Sequence, residues 1–153
     1  MDPVRPDAVA RPAQSPELSV VVPTFKEAAN VPRLVELLDA ALAGIAWEVI
    51  FVDDDSPDGT ARVAKAISAR DPRVRCLRRV GRRGLAGACI EGMLSSAAPV
   101  VAVMDADLQH DETILPKMYA AIRDGAELVV GSRYVDGGSS GQGLSSVRQW
   151  GSE

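Results

Sequence analysis

The chain alternates short apolar runs with segments of helical periodicity, and this alternation limits the folds open to it more than any other feature. Five runs, each three to six residues long, are rich in β-branched and large apolar side chains and predict strands. They occupy residues 18–22, 47–52, 74–77, 100–104 and 128–130. Because almost every position in these runs is apolar, the pattern indicates a parallel sheet covered by helices on both faces. We therefore expect an α/β fold.

Four helical segments separate the predicted strands. The first begins after Asn30, a typical N-cap residue, and carries apolar residues at helical spacing. The second opens at residues 58–60, the third is a helix of small residues over 85–96, and the fourth runs from 111–113 to residue 122. With one helix between successive strands, right-handed crossovers leave few topologies.

The composition is that of a globular domain. The chain has 153 residues, 46% apolar and 25% charged, which excludes a disordered chain, a collagen-like repeat and a disulfide scaffold. Its formal net charge of −4 provides no field that recruits nucleic acid. The longest apolar stretch, residues 97–104, is far shorter than the roughly 20 residues of a membrane span, and residues 1–16 show no signal peptide. Cys76 and Cys89 lie in apolar surroundings, as reduced core cysteines do. We therefore expect a soluble, intracellular protein.

One folded domain is expected between two polar ends. Residues 1–16 contain four prolines and predict a disordered leader. Residues 17–135 hold all the predicted strands and helices. Residues 136–153 begin with a run rich in glycine and serine and predict a flexible tail.

Charged residues follow every predicted strand at its carboxyl end. In strand order these are Glu27, the aspartates at 53–55, the arginine-rich turn at 78–83, Asp105 with Asp107, and Arg133. The carboxyl ends of parallel strands lie on one edge of the sheet, and open α/β folds bind their ligands at that edge. The sequence therefore predicts a site for a polar ligand there.

Asp105 and Asp107 are the strongest candidates for a metal site. They lie two residues apart at the end of a buried strand, so both carboxylates can lean to the same side. Two hard oxygen ligands with open coordination positions suit Mg²⁺ or Mn²⁺ shared with the phosphates of a substrate, and Gln109 is placed to join them. The alternative is an acidic turn that caps a helix and faces solvent. The preceding apolar run and the other acids on the same edge favour the metal site.

The aspartates after the second strand predict contact with a nucleotide. In dinucleotide-binding folds an acidic residue at this place accepts hydrogen bonds from a ribose, and we interpret Asp53 and Asp54 in this way. Their neighbours Asp55 and Asp58 fit a turn and a helix cap.

The arginines near the third strand and the single histidine are not assigned to a catalytic role. The arginines at positions 75, 78, 79, 82 and 83 either balance phosphates or anionic lipid headgroups, or form a solvated basic face. His110 is interpreted as structural, because a single imidazole without a nucleophile defines no mechanism.

Together these segments resemble the nucleotide-sugar glycosyltransferases of family 2, which have the GT-A fold. The matching segments are VVPTFKEAANV, VDDDSPDGT, GLAGACIEG, VVAVMDADLQHD and ELVVGSRYVDGG, and they span residues 18–138. Within that family the chain is most similar to the dolichol-phosphate (polyprenol-phosphate) mannose synthases. The resemblance implies a GT-A, Rossmann-like parallel sheet flanked by helices, with residues 17–135 as the nucleotide-sugar-binding domain. It also implies a fold that is incomplete at its C-terminal side, since the family continues well beyond Glu153; we expect a truncated chain that ends inside the acceptor region.

The resemblance assigns roles to individual residues. The positions that it implies for contact with the nucleotide-sugar are Pro23, Phe25, Glu27, Val52, Asp53, Asp54, Asp105, Ala106, Asp107 and Arg133. Asp105 and Asp107, with Gln109 beside them, match the residues that hold the divalent metal on the diphosphate. Arg133, Arg148 and Ser152 match the positions for the acceptor phosphate, and Asp107 and Arg133 are the implied catalytic residues.

The implied reaction is the transfer of mannose from GDP-mannose to a polyprenyl (dolichyl) phosphate, with inversion at the anomeric carbon and with Mg²⁺ or Mn²⁺ as cofactor. The implied partners are this donor, the lipid acceptor and a membrane surface that the protein contacts peripherally at its cytoplasmic face. Three positions depart from the usual pattern of the family, with Lys26 in place of Asn, Asp55 in place of Asn and Ala86 in place of Gly.

Two alternatives stay open. One is a related transferase that moves glucose or GlcNAc from a UDP-sugar to a polyprenyl phosphate, and the other is a truncated remnant that only binds a nucleotide-sugar. A two-component receiver domain is disfavoured, because its acidic pair follows the first strand and a Lys follows the fifth, whereas here an acidic pair follows the second and Arg133 the fifth. A Rossmann dehydrogenase is excluded, because no G-x-G-x-x-G follows the first strand.

Overall fold

The computed structural model describes residues 15–132, and these form a parallel sheet flanked by helices. Its strands are β1 (Leu18–Thr24), β2 (Trp47–Asp53), β3 (Val74–Arg78) and β4 (Val100–Val103). Its helices are α1 (Val31–Ala41), α2 (Thr60–Ser68), α3 (Leu85–Leu94) and α4 (Leu115–Arg123), and a 3₁₀ turn (Glu112–Ile114) leads into α4. The sheet order is β3-β2-β1-β4, so the predicted α/β architecture is confirmed.

Strand β1 lies between β2 and β4, but its two partners cover different lengths of it. It pairs with β2 from Leu18 to Thr24, and with β4 only from Leu18 to Val21. The carbonyl of Val21 accepts a hydrogen bond from Met104 N at 3.1 Å, so the backbone groups of alternate β1 residues face β4. Pro23 falls on that side after β4 has ended, where a missing N–H disrupts no ladder.

Each face of the sheet packs against its own helices. On one face, α1, α2 and α4 cover a core that includes Leu34, Leu38 and Phe51, all 1% exposed or less. Burying a side chain of this size contributes about 1.5–3 kcal/mol to the free energy of folding. On the other face, α3 packs against Val21 and Val52. The expected cover on both faces is thus confirmed.

Two details of the predicted elements are wrong. Residues 128–130 do not form a strand, because they have no hydrogen-bonded partner strand among the described residues; Leu128 and Val130 are 80% and 74% exposed. Asn30 sits at the N-cap of α1 without capping it, since its side-chain amide donates to Glu27 Oε2 at 2.7 Å instead. The expected leader lies outside the described residues except for positions 15 and 16, and the expected tail lies outside them entirely.

Strand β4 forms an edge of the sheet within the described range. Its residues Val101 and Val103 are 37% and 43% exposed, and they line an apolar groove of about 420 Å³ between β4, α4 and residues 127–131. None of the helices in residues 15–132 combines the length and the hydropathy that a membrane span requires.

Candidate functional site

The carboxyl ends of the strands meet at one edge, where four loops come together. Three backbone hydrogen bonds join the ends of neighbouring strands: Asp54 N to Thr24 O at 3.1 Å, Arg79 N to Asp53 O at 2.8 Å, and Met104 N to Val21 O at 3.1 Å. The loops that follow all four strands therefore border the same space, as the parallel order requires.

The loop after β1 is fastened to the loop after β2. The backbone N–H groups of Lys26, Glu27 and Ala28 donate to the side chains of residues 56, 60 and 58 at 2.9, 3.0 and 3.1 Å. Lys26 adopts a φ of 62°, a left-handed conformation that is rare for a residue with a side chain. These hydrogen bonds offset the cost of that conformation and fix the predicted binding residues on either side of Lys26.

Phe25 and Glu27 project from this loop at the edge. Phe25 is 42% exposed, and its ring lies beneath two cations, with Arg83 Cζ 4.8 Å and Lys26 Nζ 5.4 Å from the ring centroid. Such cation–π contacts hold the ring in place while part of it stays open to solvent. Glu27 is half-buried and accepts a hydrogen bond from Asn30. Both residues are therefore placed at the edge, as predicted.

Asp53 and Asp54 lie at the same edge, but their carboxylates are already hydrogen-bonded inside the protein. Asp53 is fully buried and accepts from Thr24 Oγ1 at 3.2 Å, from Ser56 N at 3.0 Å and from Ser56 Oγ at 2.5 Å. Asp54 is 7% exposed and accepts from Arg79 Nη1 at 2.6 Å. Contact of either carboxylate with a ligand stays a prediction.

The other predicted residues of β1 and β2 offer little side-chain surface. Val52 is fully buried against α3, so a ligand could reach only its backbone. Pro23 is half-buried and pairs with Val52 in register.

Asp105 and Asp107 face outward from the loop after β4. Their side chains are 55% and 40% exposed, while Ala106 between them is 2% exposed and packs in the main core. The buried alanine thus anchors the loop and leaves a carboxylate on each side of it. Gln109 N donates to Asp107 Oδ1 at 3.0 Å, which shapes the turn after the pair.

His110 lies beside both carboxylates. Its Nδ1 is 4.0 Å from Asp105 Oδ2 and 3.8 Å from Asp107 Oδ1, so the two acids share one neighbourhood. The side chain of His110 is 40% exposed, so it belongs to the outward-facing loop, and its interpretation as a structural residue stays a prediction.

The donor set around Asp105 and Asp107 fits Mg²⁺ or Mn²⁺. Both metals prefer oxygen ligands, and Mg²⁺ is commonly held by one or two carboxylates together with water and substrate phosphates. Residues 15–132 contain no group of three His, Cys, Asp or Glu residues arranged to hold a metal ion by themselves.

The arginines of the predicted basic cluster do not form one surface. Arg78 Nε donates to Asp55 at 2.6 Å, Arg82 Nη1 donates to Glu91 at 2.8 Å, and Arg79 is buried against Asp54. Arg75 lies at the opposite end of β3, where Nη1 donates to Glu48 Oε2 at 2.9 Å. Sequence reasoning did not single out Arg79, because nothing local distinguishes this buried arginine from the exposed Arg78 before it.

Three predicted residues lie outside the described range. Arg133, Arg148 and Ser152, to which the acceptor phosphate was assigned, follow residue 132. The described part of the site therefore consists of the predicted donor-side residues.

Most of this chain is similar in sequence to known glycosyltransferases. The sequence model of glycosyl transferase family 2 matches residues 19–150. A dolichol-phosphate mannosyltransferase of Pyrococcus furiosus is 43% identical over 122 residues, which cover 80% of this chain and 34% of that protein. An undecaprenyl-phosphate mannosyltransferase of Micrococcus luteus is 41% identical over 122 residues, covering 77% of this chain and 49% of that protein. A polyprenol monophosphomannose synthase of Mycolicibacterium smegmatis is 35% identical over 147 residues, covering 94% and 51%. The chain thus spans from a third to a half of the length of these relatives.

Solved structures show the same fold. The mannosyltransferase PcManGT from Pyrobaculum calidifontis, in complex with GDP-Man and Mn²⁺, superimposes with a TM-score of 0.53 at 26% identity, over 67% of this chain and 31% of that one. Glucosyl-3-phosphoglycerate synthase from Mycobacterium tuberculosis superimposes with a TM-score of 0.58 at 20% identity, over 72% and 41%, a likeness that concerns the fold alone. The sheet and helices described above are those of the GT-A glycosyltransferases.

Proposed function

The chain belongs to glycosyl transferase family 2, and from this premise we propose that it is the donor-binding part of a mannosyltransferase. The proposed reaction moves mannose from GDP-mannose to a polyprenyl (dolichyl) phosphate. Relatives that are 35–43% identical are named as mannosyltransferases of dolichyl, undecaprenyl and polyprenyl phosphates, and PcManGT holds GDP-Man and Mn²⁺. These names support the donor and the acceptor class proposed for this chain.

The observation that carries the proposal is the outward-facing pair Asp105 and Asp107. Among the described residues, His110 is the only basic side chain within ion-pair distance of either carboxylate. Two exposed carboxylates left without a lysine or arginine create a local negative field that favours a cation. We assign to them, with Gln109 beside them, a divalent ion, Mg²⁺ or Mn²⁺, which neutralises the diphosphate of the donor when it is bound.

The loops after β1 and β2 would receive the nucleoside end of the donor. Phe25 is 42% exposed, so a planar base can stack against the open part of its ring, and Glu27 lies on the same loop. Asp54 lies next to this loop, and each of its carboxylate oxygens accepts one hydrogen bond within the protein and can accept a further one. Asp53 is fully buried, and of its two oxygens only Oδ2, which accepts a single hydrogen bond from Ser56 N, can accept another. The donor would thus run from the ends of β1 and β2 to the end of β4.

The chemistry proposed for the site needs little acid–base catalysis. An oxygen of the acceptor phosphate attacks the anomeric carbon of mannose, the bond from that carbon to the diphosphate oxygen breaks, and GDP leaves with the electron pair. The anomeric centre inverts. Because the acceptor phosphate is already an anion at neutral pH, no side chain has to remove a proton from it. The protein's contribution is alignment and stabilisation of the departing charge, and Arg133, Arg148 and Ser152 are proposed to clamp the acceptor phosphate.

The site of action is also a proposal. A polyprenyl phosphate lies in a membrane, whereas GDP-mannose is dissolved in water. We therefore expect the protein to act peripherally at the cytoplasmic membrane surface, where the two substrates can meet. One alternative is a related transferase that takes glucose or GlcNAc from a UDP-sugar. The other is a chain that binds a nucleotide-sugar without transferring the sugar, an alternative that stays open because this chain spans only part of the length of its relatives.

Calorimetric titration of the purified chain tests the proposal. The titrants are GDP-mannose, UDP-glucose and UDP-GlcNAc, each with Mn²⁺ and again with EDTA. Binding of GDP-mannose that requires Mn²⁺ is the expected result, and incubation with polyprenyl phosphate in vesicles then measures transfer. Preference for a UDP-sugar would make the donor assignment wrong. Binding of GDP-mannose without transfer would mean that this chain only binds the nucleotide-sugar, and no binding by a folded sample would overturn the proposal.

A further inference from the structure

Arg79 is a buried arginine behind the predicted donor site. The residue directly follows β3, and its side chain is 5% exposed. Its Nη1 donates to Asp54 Oδ1 at 2.6 Å and to Gly84 O at 3.1 Å, and its Nε donates to Glu91 Oε1 at 3.2 Å. A guanidinium buried this deeply needs such partners, because an unpaired buried charge is strongly destabilising.

The carboxylate of Asp54, just after β2, binds both Arg79 and the residue just before α3. While Oδ1 accepts from Arg79, its other oxygen, Oδ2, accepts from Gly84 N at 2.7 Å. Gly84 is the N-cap of α3 and has a φ of 131°, a conformation that side chains disfavour. The loop from Arg79 to Gly84 is thus held at both ends by one carboxylate–guanidinium pair.

Helix α3 leaves room for this guanidinium at Gly87. A Cβ at that position would lie 2.6 Å from Arg79 Nη2, far closer than atoms can approach. The glycine therefore allows the guanidinium to lie against the first turn of the helix. The position of Arg79 depends on this close approach as well as on its ion pairs.

The loop held by Arg79 carries Arg83, which lies over the ring of Phe25 at 4.8 Å from Arg83 Cζ to the ring centroid. A shift of the loop would move Arg83 and so change the support of the exposed Phe25 ring. Arg79 itself is too deeply buried to touch a ligand at the edge.

We propose that Arg79 is a positioning residue for the nucleoside end of the donor. Through Asp54 and Gly84 it fixes the loop that places Arg83 against Phe25, so donor affinity depends on Arg79 without direct contact. This inference rests on the proposed function, because it assumes that a nucleotide-sugar binds beside Phe25.

A matched arginine separates positioning from mere stability. Arg75 also joins β3 to β2, with Nη1 2.9 Å from Glu48 Oε2, but at the opposite end of the strands and 38% exposed. Arg79→Lys and Arg75→Lys therefore both weaken an ion pair between these strands. Only Arg79→Lys disturbs the loop at the carboxyl edge.

A second variant displaces Arg79 without removing it. Gly87→Ala pushes the flexible end of the guanidinium away, while alanine raises the helix propensity of α3. Folding of this variant is expected to be preserved. It thus tests the position of the guanidinium separately from its charge.

The test measures the affinity of the 153-residue chain for GDP-mannose with Mn²⁺ by calorimetry, with folding followed by circular dichroism. Arg79→Lys and Gly87→Ala are expected to weaken binding about tenfold or more, because hydrogen bonds to charged groups are lost or distorted, whereas Arg75→Lys changes it less than about twofold. In a Phe25→Leu background, Arg79→Lys is expected to add little, because the route through Phe25 is already lost.

Each other outcome overturns a definite statement. Wild-type affinity in both Arg79→Lys and Gly87→Ala, or equal weakening by Arg75→Lys, overturns the positioning role. Fully additive losses with Phe25→Leu overturn the route through Phe25. A folded wild-type chain that binds no donor overturns the proposed function and, with it, this inference.

Discussion

Ala28 N donates to Asp58 Oδ2 at 3.1 Å, which fastens the loop after β1 to the start of helix α2. The other carboxylate oxygen, Oδ1, accepts from Thr60 N at 3.0 Å and from Thr60 Oγ1 at 2.6 Å. The hydrogen bond from the Thr60 hydroxyl is the main cause that lowers the pKa of Asp58 below its usual value. One aspartate thus serves two loops of the candidate site.

Asp58→Ala is expected to lower the free energy of unfolding by about 1 kcal/mol, because the hydrogen bonds that its carboxylate accepts from Ala28 and Thr60 are lost. It should also weaken binding of GDP-mannose, because the loop that carries Phe25 and Glu27 loses one of its fastenings. Chemical denaturation and calorimetry measure the two effects. Glu36→Ala, which removes an exposed carboxylate on α1, is the control and should change neither quantity appreciably.

Gly92→Ala is expected to destabilise the protein by overpacking. A Cβ on Gly92 would clash with Val21 Cγ1 and lie 3.0 Å from Val52 Cγ2, so α3 would have to move away from the sheet. The expected loss in the free energy of unfolding is about 1–3 kcal/mol, despite the better helix propensity of alanine.

Partial rescue checks the cause of that loss. In the double variant Gly92→Ala with Val21→Ala, the smaller side chain makes room for the new methyl group. The combined loss should therefore be smaller than the two single losses added together. Simple additivity in denaturant unfolding would show that close packing of α3 on the sheet is not the reason.

The strands were predictable from sequence because their signal is local. Runs of β-branched and apolar residues located β1 to β4 to within two residues at each end. The run at residues 128–130 has the same local signal but forms no strand, because a strand also needs a partner at the right distance and residues 15–132 provide none. Sequence periodicity carries no information on that distance.

The candidate site was predictable in its outline and not in its internal contacts. Asp105 and Asp107 lie where the strand order places them, since their position depends only on the end of β4. Asp54, in contrast, is held by Arg79, a residue 25 positions away that looks like its exposed neighbour Arg78. Which of two adjacent arginines turns inward is decided by tertiary packing, which a single sequence does not record.

The stability of the protein is expected to fall when the solution becomes acidic, partly because of Glu48. This carboxylate is 5% exposed at the amino end of β2. Burial acts to raise its pKa, but hydrogen bonds from Ala97 N, Ser19 Oγ and Arg75 Nη1 outweigh burial and bring the pKa below the usual 4.5. A lowered pKa in the folded state contributes stability above the unfolded pKa, and that contribution is lost as the pH falls through the folded pKa.

Glu48→Gln tests this contribution. At pH 7 the variant should be less stable by about 1–3 kcal/mol, since a charge-assisted network is lost from a buried position. Its stability should also depend less on pH than that of the wild type below pH 4.5. Urea unfolding at a series of pH values measures both effects, and parallel pH profiles for the two proteins would contradict the role of Glu48.

Asp107→Asn should abolish the dependence of donor binding on metal while leaving the fold intact. The side chain of Asp107 is 40% exposed and contacts the neighbouring Gln109 N and His110, so the change removes no buried interaction. The free energy of unfolding should therefore change by less than about 0.5 kcal/mol. With Mn²⁺ present, the affinity of the variant for GDP-mannose should fall to that of the wild type in EDTA, because the amide supplies no charge to hold a divalent ion. Asp124→Asn, at an exposed acid that ends α4, is the matched control and should bind the donor as the wild type does. If Asp107→Asn kept its Mn²⁺-dependent affinity, the cation would have to be held elsewhere, and the assignment of the metal to the loop after β4 would be wrong.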